Sequence, residues 1–99
     1  MGGNMSQEDW DKITMGRYEV KTQIEKVLND KDKKYFIIET LNSENTILSD
    51  YKAIENMELI VSYLLSTKNY VTSGSINSTV IPVGRGVRCI YHQVILKQV

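Results

Sequence analysis

The residues in this chain able to do chemistry are a lone histidine, a lone cysteine, two late arginines and a hydroxyl-rich run beside a glycine. His92 lies in a stretch where period-two alternation puts Arg88, Ile90, His92, Val94 and Leu96 on one face of a strand. A general base needs an orienting partner and a substrate proton within hydrogen-bond reach. No spacing in the sequence supplies either, so the expectation for His92 is a packed or hydrogen-bonded structural residue. Cys89 alternates to the opposite face, which separates it from His92 and leaves Arg88 as its only neighbouring cation. A nucleophilic thiol needs a depressed pKa. The simpler expectation is a small buried hydrophobe.

Other chemistry is disfavoured by pattern. Asp30, Asp32, Glu39 and Glu44 lack the glycine and regular oxygen spacing of a calcium loop. Gly84-Arg85-Gly86 is too short for a phosphate-cradling fingerprint, and the serines near 75 lack a strand–nucleophile–helix context. One cysteine excludes an internal disulfide and any zinc site built on paired cysteines. The expectation is a chain with no catalytic residues, no metal and no cofactor.

The strongest functional signal is electrostatic. Total charge is zero, yet residues 1–58 hold eight bases against twelve acids, and residues 59–99 hold Lys68, Arg85, Arg88 and Lys97 with no acid. One reading is internal pairing of the basic part with the acidic part. The sharper reading is an anion site, because guanidinium forks suit phosphates and carboxylates. Ser73, Gly74 and Ser75 would add hydroxyls and a glycine-freed backbone that can form an amide nest. If the loop and the turn meet, Arg85, Arg88, Ser73, Gly74 and Ser75 line a shallow pocket for a nucleotide-like anion or for acidic side chains of a partner. Nucleic acid is a weaker alternative. Lys31, Lys33 and Lys34 precede Tyr35 and Phe36, but Asp30 and Asp32 dilute the cluster, and a pI near 6.6 is poor for phosphate-backbone binding.

These residues must be positioned by one small domain, since 99 residues do not support two cores. Ser6 caps a short helix with Glu8 and Asp9 in its first turn, Trp10 folds back on the core, and Gly16 ends it. Tyr18–Leu28 fits two periods. Tyr18, Val20, Thr22 and Ile24 alternate as a strand, while Val20, Ile24, Val27 and Leu28 share a helical face. The polar turn 29–33 and the β-rich stretch 34–41 favour a hairpin, with a helix as the alternative. Asn42–Asn45 reads as loop. Ser49 or Asp50 caps an amphipathic helix to about Thr67, with Ile54, Met57, Ile60, Val61, Leu64 and Leu65 as its stripe. Val80–Val83 and Val87–Lys97, joined by the Gly84–Gly86 turn, form a second hairpin whose first strand is an edge because of Pro82. The fold class expected is α+β: an antiparallel sheet from two hairpins on one main helix, plus a short N-terminal helix.

No stretch of eighteen apolar residues exists, and the opening Met1–Ser6 lacks the features of a secretion signal, so a cytoplasmic protein with no membrane contact is expected. The opening fits the loose myristoylation pattern, a match common by chance. Residues 1–5 read as disordered. Isoleucine, lysine, asparagine and tyrosine supply a third of the chain, a bias typical of low-GC coding. Together these features describe a small non-enzymatic binding module of the phage or mobile-element accessory type. Such a module sequesters an anionic ligand or inhibits a host protein. The other classes are a nucleic-acid-binding regulator and a small enzyme using His92. An exposed edge near Pro82 also makes a homo-oligomer an expectation.

Overall fold

In the computed structural model, residues 6–42, 47–72 and 74–99 are described. Helices α1 (Gln7–Thr14), α2 (Tyr18–Asn29) and α3 (Ile47–Ser66) are joined by strands β1 (Tyr35–Asn42), β2 (Tyr70–Thr72), β3 (Asn77–Gly84) and β4 (Val87–Gln98). The fold is α+β, with an antiparallel sheet packed against helices. The Ser6 hydroxyl accepts from the amide of Asp9 at 3.2 Å, as its sequence position implies. The left-handed turn after α1 uses Met15 as well as Gly16, with φ of 55° and 70°.

The hairpin expected from Tyr18 to Leu41 is not formed. Residues 18–29 are helical, because Val20, Ile24 and Val27 bury completely or nearly so on one face while Tyr18 is 79% exposed. As a strand, the segment would have put Tyr18 and Thr22 on the same face as Val20 and Ile24. Packing against α3 decides between the two periods. Arg17, just before α2, reaches α3 with a 2.7 Å ion pair to Glu55 and a 2.8 Å bond to Asn56. Among the described side chains of α3 the buried positions are Ala53, Met57, Ile60 and Leu64, spaced by three and four. The helix starts at Ile47, ahead of the expected caps Ser49 and Asp50. The readings of residues 1–5 as disordered or lipidated lie outside the described residues, as does the loop reading of 43–45; Asn42 itself ends β1.

Freed from a local partner, β1 pairs with β4, from Tyr35 opposite Lys97 to Asn42 opposite Ile90. On the other side of β4 lie β2, against Leu96–Gln98, and β3, against Val87–Gln93. The direction of the backbone groups follows from two bonds. The Gln98 amide donates to the Lys34 carbonyl at 2.7 Å, and the Val99 amide to the Asn69 carbonyl at 2.9 Å. In an antiparallel ladder the N–H and C=O of one residue point the same way, and the direction alternates along the strand. Even-numbered residues of β4 therefore bond to β1, and odd-numbered ones to β2 and β3. By the same count Ser78, Val80 and Pro82 turn their backbone toward the open side of β3. Pro82 thus stands where its missing N–H costs no ladder bond.

Phe36, Ile38, Val94, Leu96 and Tyr70 meet the helices in one core, with the Phe36 and Tyr70 rings edge to face at 5.9 Å. Trp10 closes the end near Tyr63, and the Lys21 ammonium sits 5.5 Å from its centroid. Ile24→Ala is expected to cost about 2–5 kcal/mol in a urea unfolding titration. Thr22→Ala is expected to stay within about 0.5 kcal/mol of wild type. Equal losses at both positions would restore the strand.

Candidate functional site

The turn between β3 and β4 holds three consecutive positive φ values, 100° at Gly84, 53° at Arg85 and 76° at Gly86. The flanking glycines adopt these without strain, and Arg85 at their centre is held at the outermost point of the hairpin. Arg88 lies opposite Pro82 across the ladder, and both are exposed. Next on that face is Val80, 55% exposed, opposite the half-buried Ile90. The hairpin end therefore combines two guanidinium groups with a small apolar strip. Among the described residues neither arginine makes an ion pair, and the same holds for Lys68 and Lys97. The positive charge of the last two-fifths is not neutralised by the carboxylates described.

Of the five residues expected to share one pocket, the four that are described are not brought together. Gly74 and Ser75 precede β3, whereas Arg85 follows it, and Arg88 is beside its far end. An eight-residue strand at about 3.3 Å per residue puts the loop and the turn on the order of 23 Å apart. Ser73 lies outside the described residues. The arginines are left as an open cationic tip, with no hydroxyl loop beside them.

His92 is 2% exposed, and its Nδ1 lies 2.6 Å from the Ser78 hydroxyl on the adjacent strand. The contact answers the hydrogen-bonding need of a buried imidazole. It brings a serine hydroxyl to an imidazole, a pairing hidden from sequence reading because it depends on the β3–β4 register. Ser78 is the second residue of β3, however, and lacks the strand–turn–helix setting that exposes a nucleophile. Cys89 is buried, 4% exposed, on the face opposite His92. Among the described residues no group of three or more metal-ligating side chains occurs. No described helix is long and apolar enough to cross a membrane.

The lysine cluster ahead of β1 loses its stacking platform. Phe36 is buried in the core with the Lys33 ammonium 5.7 Å from its centroid, leaving only Tyr35 exposed. On the sheet face away from the helices, Tyr91 donates to the Glu39 carboxylate at 2.8 Å. No protein family, no curated protein and no solved structure matches the chain.

The Tyr91 hydroxyl titrates above the ordinary tyrosine value of 10.0, first because of its bond to Glu39, then through partial desolvation and the Glu39 charge. Tyr70 is raised as well, by burial. In both cases the folded state favours the neutral phenol. The associated stability is present below the ordinary tyrosine value and is lost as pH rises through the raised one. An ultraviolet titration of the six tyrosines is expected to show a late-titrating fraction. Tyr91→Phe should shrink that fraction and weaken the alkaline loss of stability; an unchanged curve would rule out the assignment.

Proposed function

We propose that this chain is a non-enzymatic binding module whose working surface is the β3–β4 hairpin end, presented to an acidic surface on a partner protein. The observation that carries the reading is the pair Arg85 and Arg88, exposed and without a carboxylate partner among the described residues, beside the exposed Val80. Guanidinium groups with an adjacent apolar strip are the chemistry of an interface anchor. A small free anion would call for convergent donors around it, and the hydroxyl-rich loop lies a strand's length away. A protein carboxylate cluster needs no enclosure, because the partner supplies the other wall.

Several features support this geometry. Among the described residues β3 packs mainly against β4, while α3 lies against β1, β2 and β4. The core contribution of β4 stops at Val94 and Leu96, so the stretch toward the turn stands outside the main helix–sheet core. The molecule measures 49 × 29 × 18 Å, with a radius of gyration of 14.5 Å against about 13 Å for a compact domain of this length. A projecting hairpin of this kind suits an inhibitor that occupies a cleft or active-site rim of a host protein in the cytoplasm.

The test compares wild type with Arg85→Glu/Arg88→Glu as bait in extracts of cells that encode the chain. Wild type should retain an acidic protein that moderate salt releases, and the charge-reversed variant should lose it at unchanged thermal stability. Each arginine is expected to contribute roughly tenfold in affinity, about 1.4 kcal/mol. Equal capture by both baits would remove the hairpin end from the account. A nucleotide that stabilises wild type and not the variant would replace the protein partner with a small anion.

A further inference from the structure

We propose that two copies of this chain pair along β1, antiparallel about a two-fold axis, so that one sheet runs through both. β1 is an edge strand whose only neighbour among the described residues is β4. The Gln98–Lys34 bond sets the phase: Lys34, Phe36, Ile38 and Thr40 direct their backbone groups to β4. Tyr35, Ile37, Glu39 and Leu41 direct theirs outward, each with both a donor and an acceptor. The strand has no proline, no bulge and, within 35–42, no lysine, which are the usual devices that blunt an edge. Tyr35 and Ile37, on the face turned from the helices, are 51% and 55% exposed. The other edge differs, since Pro82 removes a donor from the open side of β3.

A second copy is the occupant that the strand's own chemistry selects. β1 is entered through Lys33 and Lys34 and carries Glu39 toward its other end. Antiparallel pairing sets the basic end of one copy beside the acidic end of the other, whereas parallel pairing would align like charges. Opposed residues must also share a face of the sheet. Centring the axis on Ile37 opposes Ile37 to itself, Phe36 to Ile38 and Tyr35 to Glu39. Centring it on Glu39 would oppose two carboxylates, and centring it on Ile38 would oppose Ile37 to Glu39. Of these three, only the Ile37 register both opposes Ile37 to an apolar residue and keeps the two Glu39 carboxylates from facing each other. Because the axis reverses the strand, the two hairpin tips would lie at opposite ends of the joined sheet. A dimer would thus offer two binding ends without altering either.

Sedimentation equilibrium of the full chain should show the mass rising with concentration toward twice that of one chain. Ile37→Lys, which opposes two lysines at the axis on an already exposed position, should hold the protein at the mass of one chain. Val80→Lys, on the other edge, should leave the dimer intact. Ile37→Cys should cross-link between copies through a short bis-maleimide or on oxidation, since directly opposed bonded residues lie about 5.5 Å apart at Cα. In the dimer, the amides of Tyr35, Ile37 and Glu39 should be slow to exchange. A single-chain mass at every concentration overturns the proposal. So does a dimer in which those three amides exchange freely, for the copies would then meet through another surface. Arg85→Glu/Arg88→Glu should leave the mass unchanged, so failure here and failure of the hairpin-end reading are separable.

Discussion

The structure depends on β4 being paired along both sides at once. Every other strand bonds to it: β1 along one edge, and β2 and β3 in succession along the other. Among the described residues no two of the remaining strands are neighbours. The twelve residues of β4 therefore carry the sheet, and their alternation serves two tasks. Val94 and Leu96 enter the helix-covered core, whereas the opposite parity holds Tyr91 against Glu39. A one-residue slip would reverse both assignments.

This arrangement explains why the molecule has a covered half and a projecting half. α3 meets the sheet mainly where β1 and β2 flank β4. Toward the turn, β4 keeps β3 and the end of β1 as neighbours and leaves the main core. His92 marks the boundary, buried and bonded to Ser78 where the apolar core ends. Beyond it along β4, Cys89 is still buried and Ile90 half-buried, and among the described side chains only Arg88 and the turn are exposed. The division of labour is physical: helices stabilise one half, and the backbone ladder alone extends the other.

Local signals were legible in the sequence and long-range ones were not. The Ser6 cap, the α3 stripe and the glycine-flanked turn each arise from chemistry within a few residues, and each reads directly. Tyr18–Asn29 satisfies two periods, and the choice is made by contact with α3, which follows β1 in the chain, and by Arg17 reaching Glu55 and Asn56, the latter 39 residues away. The partner of β1 lies still further along the chain, so the local-hairpin assumption failed. β2 is three residues long and leaves no periodic trace, which is why residues 70–72 did not read as a strand. The charge asymmetry was visible from residue counts. Its geometry was not, because the loop near Ser75 and the turn at Arg85 are separated by the whole of β3. Proline was informative in both respects: it marked β3 as an edge, and the ladder phase then showed which side of the residue is open.

Native-state amide exchange across β3 and β4 tests the central role of β4 most directly. Pairing on both sides predicts protection at consecutive positions of β4 from Cys89 to Gln98. In β3, Thr79 and Ile81 should be protected, while Ser78 and Val80 exchange quickly. Alternating protection within β4, or protection at Ser78 and Val80 equal to that at Thr79 and Ile81, would contradict the architecture on which the rest is built.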